Sequence, residues 1–256
     1  MPLLEISHLG IDFGGLRALS DFNFTLDQGE LVGLIGPNGA GKTTVFNIVT
    51  GVYQPDVGDV RLAGKSIVGL KPFRINRLGI ARTFQNVRLF GGLSVLDNIL
   101  IGFNQSVAHG FVGTLLRSHA HQVEEHLHEQ QAIELLGAFD LLDRLHDPAR
   151  TLAYGPQRRL EMARALATRP KILLLDEPAA GMNPQEKTDL MNLIAMIREK
   201  FSVGLWLIEH DMKLVMSICQ RITVLDHGET IAIGSPAEIQ ENPKVIEAYL
   251  GSPEPA

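Results

Sequence analysis

Apolar and polar positions along the chain fall into distinct regimes. As far as about residue 93 they form short strand-like runs: Leu3 to Leu9, Ala18 to Leu26, Leu31 to Ile35, Asp59 to Leu62 and Ile80 to Phe84. Turn residues at Gly14-Gly15 and Asp27-Gln28-Gly29 separate the first three, as expected for β-strands. Val45 to Val49 and Pro72 to Leu78 read as helices among them. From Ser94 to Asp147 the spacing turns helical. Ser94 is placed as an N-cap with Asp97 as a capping-box variant, Val95 to Ile101 follow, 104 to 117 read as a loop, and a longer amphipathic helix runs from Ser118 to Leu136. The remainder alternates. Gln157 to Thr168, Pro184 to Lys200 and Asp211 to Ser217 read as helices, Lys171 to Leu175 and Val203 to Ile208 as buried strands, and Ile222 to Leu225 with Thr230 to Ile233 as a hairpin across His227-Gly228. Alternation of this kind predicts parallel strands with helices on both faces.

Composition narrows the classes. The 256 residues are 45% hydrophobic and 20% charged, ordinary values for one large domain or a core with a subdomain. A net charge of −6 argues against a nucleic-acid surface. The single cysteine, Cys219, cannot form an intramolecular disulfide and fits a reducing compartment. There is no signal segment and no run of about 18 apolar residues, so the chain is read as one that does not span a membrane.

The strongest chemical signal is Gly36-Pro37-Asn38-Gly39-Ala40-Gly41-Lys42-Thr43-Thr44, two glycines with four residues between them followed by lysine and threonine. It lies between the strand ending at Ile35 and a helix, the context a phosphate-binding loop requires. The glycines let backbone N–H groups turn onto phosphate oxygens, the helix end adds partial positive charge, Lys42 reaches the terminal phosphates and Thr43 offers its hydroxyl to Mg²⁺. Asp176 and Glu177 close the apolar run Lys171 to Leu175, at the strand end where ligands collect in open α/β sheets. There Asp176 would hold Mg²⁺ through water and Glu177 would orient or deprotonate the attacking water.

Leu152-Ala153-Tyr154-Gly155-Pro156-Gln157 opens a further helix, with Gly155 as N-cap and Pro156 as first helical residue. Leu160, Ala163, Leu166 and Ala167 form its buried stripe, while Arg158, Glu161 and Arg164 lie elsewhere. A second anion-binding helix end in one chain suggests two chains sharing nucleotides. Gln85, at a strand end, either touches a metal-bound water or is a solvated loop residue. Phe13, in a glycine-flanked turn, either stacks on adenine or serves the core. His119, His121, His126 and His128 share a helix at spacings that suit a solvated face better than a metal site.

The order of phosphate loop, Gln85, Leu152 to Gln157, Leu175-Asp176-Glu177 and His210 resembles the ATP-binding cassette family of transporter ATPases over nearly the whole chain. The resemblance implies an α/β fold: a P-loop NTPase core with an N-terminal antiparallel β subdomain and an inserted α-helical subdomain. Residues 1–251 would be one domain, with 1–93 and 157–251 as core, 94–156 helical with the signature segment at its end, and 252–256 a flexible tail. It implies ATP and Mg²⁺ as ligands, Lys42, Gln85, Glu177 and His210 as the reaction groups, and Thr43, Gln85 and Asp176 at the metal. Phe13 and residues 36 to 44 would bind the nucleotide, and Ala153 to Gln157 the nucleotide of a paired ATPase. Against the family's Leu-Ser-Gly-Gly-Gln signature this chain reads Leu152-Ala153-Tyr154-Gly155-Pro156, without the serine hydroxyl, and Asn183 replaces an aspartate. The segments Arg82 to Asn86, Leu93 to Asn98, Glu177 to Pro184 and Ile246 to Gly251, and the insertion near 104 to 126, are similar to the larger of two ATPase subunits in bacterial branched-chain amino acid importers. Implied partners are two membrane permease subunits, a homologous ATPase and an external amino-acid-binding protein, with the chain on the cytoplasmic face of the plasma membrane. Urea or amide importers and non-transport cassettes are the alternatives. A soluble phosphate-loop kinase or GTPase is disfavoured by the signature segment, His210 and the lack of an Asn-Lys-x-Asp sequence.

Overall fold

The structure is a computed structural model and describes residues 1–103 and 119–250, without the side chains of 119–122, 124 and 250. The loop expected at 104 to 117, the tail from 252 and the side chains of His119 and His121 lie outside the described residues. Two compact units are present: residues 1–85 with 171–256, and residues 86–170. The second is wider at both ends than the expected 94–156.

The first unit contains two sheets. Strands β1 (Leu4–Phe13), β2 (Leu16–Leu26), β4 (Val57–Leu62) and β5 (Lys65–Ser66) form an antiparallel sheet in the order β2-β1-β4-β5. The other sheet runs β10-β9-β3-β8-β7-β6, with β3 (Leu31–Ile35), β6 (Ile80–Arg82), β7 (Ile172–Asp176), β8 (Gly204–Ile208), β9 (Arg221–Asp226) and β10 (Glu229–Gly234). Only β10 pairs antiparallel in it. Every residue of β3, β7 and β8 is buried, which is why these strands read as unbroken apolar runs. Trp206 on β8 anchors the core, stacked on Phe24 at 3.8 Å and edge-on to Phe46 at 5.1 Å. Truncating a buried ring of this size costs about 3–5 kcal/mol.

The helices of this unit are α1 (Lys42–Val49) and α2 (Pro72–Leu78), then α6 (Pro184–Phe201), α7 (Met212–Ile218), α8 (Pro236–Gln240) and α9 (Pro243–Leu250). Asn183 caps α6 through a capping box with Glu186, as expected from the sequence. Ser235 and Glu238 form the same box on α8, an element that Ser-Pro followed by glutamate would have revealed. Strand β6 stops at Arg82, two residues short of expectation, although the Thr83 N–H still reaches the Leu174 carbonyl at 2.9 Å.

The second unit is helical: α3 (Val95–Phe103), α4 (His119–Ala138) and α5 (Tyr154–Ala167). Ser94 and Asp97 make reciprocal cap bonds at the start of α3. Gly102 lets α3 approach α5, since a Cβ there would stand 2.7 Å from that of Ala167. Two expectations need correction. Helix α5 starts at Tyr154 with Ala153 as N-cap, so Gly155 is not the cap and Pro156 is the third helical residue. The bond from Gln157 N–H to Ala153 O at 3.0 Å closes the turn earlier, and proline is tolerated because first-turn N–H groups need no helical partner. His128 is not on a solvated face but buried against Phe103, ring centroids 5.4 Å apart, while His126 stays exposed. No group of three metal-ligating side chains occurs among the described residues.

Candidate functional site

Strand order decides what meets in the first unit. In the parallel register Leu34 and Asp176 both pair with Ile208, and Arg82 pairs with Leu174. The carboxyl ends of β3, β8, β7 and β6 therefore lie side by side, bringing together the phosphate loop, Glu209-His210, Asp176-Glu177 and the segment leading to Gln85.

The loop itself is a cradle only glycine can make. Gly36 and Gly41 have φ of 152° and 105°, and a Cβ on them would lie 1.9 Å from the Leu225 carbonyl and 2.8 Å from that of Ala18. Lys42 is buried beneath it and donates to the carbonyls of Gly36 at 2.7 Å and Pro37 at 2.8 Å. Burial pushes its amine pKa down, partly offset by the charge of Glu177. Above the loop opens a 410 Å³ cleft whose lining includes Asn38 to Thr44, Glu177 and His210. Leu16, Arg17, Ala18 and His227 also line it and were not anticipated. Phe13 instead ends β1, half exposed, and rests edge-on against Tyr53 at 5.2 Å outside that lining.

Glu177 adopts a left-handed φ of 47° at the lip of the cleft. Gln85 donates to its Oε2 at 2.6 Å, and His210 Nε2 stands 2.6 Å from its Oε1. A carboxylate can only accept, so Nε2 carries the proton. Asp176 is engaged differently. Its Oδ2 accepts from Arg82 at 2.6 Å in a pair that is 7% exposed on each side. Arg82 also donates to Asn47 and stands over the rings of Phe46 and Phe84. Glu209, buried behind His210, accepts from backbone N–H groups, and Lys187 reaches Asp211 at 2.6 Å. A carboxylate closing the apolar strand Gly204–Ile208 is the same signal that marked Asp176, and read in the same way it would have marked Glu209, which was missed.

In the second unit, Ala153 to Gln157 lie at the start of α5 as expected, and Arg158 and Glu161, off the apolar stripe, are buried as well. They can be buried because they are paired at 3.1 Å and satisfied further. Arg158 also bonds the Tyr154 hydroxyl, and Glu161 accepts the Arg88 N–H at 3.0 Å. Arg164 takes the Arg88 carbonyl, so one helix holds both main-chain polar groups of that residue.

Residues 19–180 of the chain match the family described as ABC transporter. The chain belongs to the ABC transporter family. Residues 229–255 also match a branched-chain amino acid ATP-binding cassette transporter segment. The chain is 48% identical over 250 residues to the high-affinity branched-chain amino acid transport ATP-binding protein BraF of Pseudomonas aeruginosa, covering 98% of each. It is 46% identical, at the same coverage, to LivG of Escherichia coli K12, which carries the same description. Among solved structures, the ADP conformation of MJ1267, an ATP-binding cassette of an ABC transporter, superposes with a TM-score of 0.85 at 30% identity, covering 98% of this chain and all of that one. These neighbours share this cassette's α/β P-loop NTPase fold with its antiparallel sheet and helical elements.

Proposed function

We propose that this cassette is the ATP-hydrolysing subunit of a high-affinity importer of branched-chain amino acids, Leu, Ile and Val. The reading of the reaction rests on one observation: Glu177 faces the phosphate-loop cleft with its two carboxylate oxygens held by Gln85 and His210. The cargo rests on end-to-end similarity to BraF and LivG. Glu177 takes a proton from the attacking water, and His210 donates its Nε2 hydrogen to the γ-phosphate instead of to Glu177. Lys42 exchanges the carbonyls of Gly36 and Pro37 for phosphate oxygens, gaining charged acceptors in place of neutral ones. Thr43, Gln85 and Asp176 form an all-oxygen donor set of the kind that suits Mg²⁺. Magnesium, when bound, neutralises phosphate charge there. Phe13 serves the adenine end from the C-terminal end of β1 in the antiparallel sheet.

The partners are two membrane permease subunits, a homologous ATPase whose nucleotide meets Ala153 to Gln157, and an external amino-acid-binding protein. No helix among the described residues is long and apolar enough to cross a membrane, which suits a peripheral subunit on the cytoplasmic face. Functionally, the unit of 1–85 with 171–256 acts as the core and 86–170, which holds the signature segment, as the helical subdomain. Glu177→Gln should retain ATP and release almost no phosphate. Turnover at the unmodified rate would sink the catalytic assignment. Deleting the gene should abolish high-affinity leucine uptake, which Lys42→Ala fails to restore; persistence of leucine uptake, or loss of urea uptake in its place, would refute the cargo.

A further inference from the structure

Glu209 is a buried carboxylate for which hydrolysis as described has no use. It is 4% exposed and in no ion pair among the described residues, although it interacts at longer range with the charge of Lys187. Its contacts are all main chain. Oε1 accepts the Ala179 N–H at 2.6 Å, and Oε2 accepts the His210 N–H at 3.0 Å, with the Asp211 N–H at 3.5 Å on the margin of bonding distance. Burial pushes its carboxyl pKa up, the three N–H groups pull it back, and the charge of Glu177 adds to the rise. Burying an acid without an ion-pair partner is costly, and a neutral acceptor could satisfy one N–H without that cost.

The two N–H groups belong to different loops. Ala179 lies two residues past Glu177 on the loop from β7 to α6, and His210 lies on the loop from β8 to α7. A circuit closes through them: the Glu177 side chain meets the His210 ring, the His210 backbone meets Glu209, and Glu209 returns to Ala179. The Glu177 N–H, bonded to the Ile208 carbonyl at 2.9 Å, ties the same loops at their roots. We propose that Glu209 is a positioning residue for hydrolysis, its carboxylate fixing the loop that carries Glu177 against the loop that carries His210. The inference rests on the reading of Glu177 and His210 as reaction groups. No flexible side chain intervenes between its oxygens and the two main chains, so a change at Glu209 moves the reacting pair directly.

The test measures kcat and KM for ATP on the full chain, with kcat expressed per nucleotide-binding site so that a partly folded preparation still decides. Glu209→Gln keeps the volume but turns an amide NH₂ toward one of the N–H groups. It should lower kcat about tenfold or more, the scale of a catalytic pair displaced by a fraction of an ångström, with KM changed by no more than about twofold. Glu209→Asp keeps the charge and draws the carboxylate back by one methylene; it should also slow turnover. In a His210→Ala background, Glu209→Gln should cost almost nothing more, because both act through one geometry. Unmodified kcat in both Glu209 variants overturns the proposal, as do fully multiplicative losses in the double variant. Variants that bind no nucleotide at all overturn it too, since Glu209 would then hold the fold and not the pair. Glu177→Gln run alongside separates the failures: if it turns over normally the site assignment is wrong, and if it is inactive while Glu209→Gln is unaffected this inference alone falls.

Discussion

Arg82 is the residue on which the charge balance of the site depends. Its guanidinium, over the rings of Phe46 and Phe84, supplies the positive charge that pairs with the Asp176 carboxylate in a nearly dry environment. Arg82→Ala leaves that carboxylate buried without a partner, and the expected loss is about 3–5 kcal/mol, measured by urea denaturation. If Asp176 also serves Mg²⁺, adding Mg²⁺ with ATP should stabilise Arg82→Ala more than the unmodified chain, because the cation restores the missing charge. Equal stabilisation of both would separate Asp176 from the metal. Lys42, Asp176 and Glu177 were legible in the sequence as candidates because each stands in a local motif whose chemistry is set by its immediate neighbours, while His210 entered only through the family resemblance. The sequence did not disclose Arg82, whose partner is 94 residues away and is reached only because β6 and β7 are paired in register. Phe13 is a different case, since its exposure and its contact with Tyr53 depend on where β4 begins, and that is tertiary information.

Two helix starts were legible because a side chain closes the helix end, although the same device at Ser235 and Glu238 went unread. Asn183 with Glu186 and Ser94 with Asp97 satisfy N–H groups that would otherwise have no acceptor, and the spacing that does this is written in three residues. The start of α5 was misread because Ala153 caps without any side-chain bond, leaving nothing in the sequence to mark it. The burial of Arg158 and Glu161 was not legible for a related reason: a charged pair three apart on a helix gives no sign in the sequence of the segment, here the main chain of Arg88, that comes to cover it. A pH prediction belongs at this scale. Asp211 caps α7 through Leu214 and accepts from Lys187 on α6, and chiefly that Lys187 bond holds its carboxyl below the usual carboxylate range. A depressed folded value gives stability that is present above the ordinary carboxylate range and is lost as pH falls through the lowered value. Lys187→Met should therefore lower the melting temperature near neutral pH, with the difference shrinking toward zero on acidification. A difference that stays constant with pH would mean that Lys187 contributes packing and not charge.

At the scale of the whole chain, the phosphate loop and the signature end belong to different compact units, and 98% of the sequence aligns with BraF and LivG. If each signature end completes a paired subunit's nucleotide site, stability and activity should respond to a charge there with opposite signs. Ala153 is the N-cap of α5, exposed and without a cap bond. Aspartate is among the best residues at that position, so Ala153→Asp should stabilise the isolated chain by about 0.5–2 kcal/mol by accepting a first-turn N–H. The same carboxylate would face the partner's phosphates, where like charges repel, so turnover of the assembled ATPase should fall sharply while nucleotide binding by the single chain stays unchanged. Ala153→Ser provides the control, since it gains the cap without the charge and restores the hydroxyl of the family's signature; it should keep or raise the rate. Equilibrium unfolding, single-chain nucleotide binding and steady-state phosphate release separate the cases. An Ala153→Asp chain that is both more stable and fully active would show that the start of α5 never meets a nucleotide, and the shared-site arrangement would have to be abandoned.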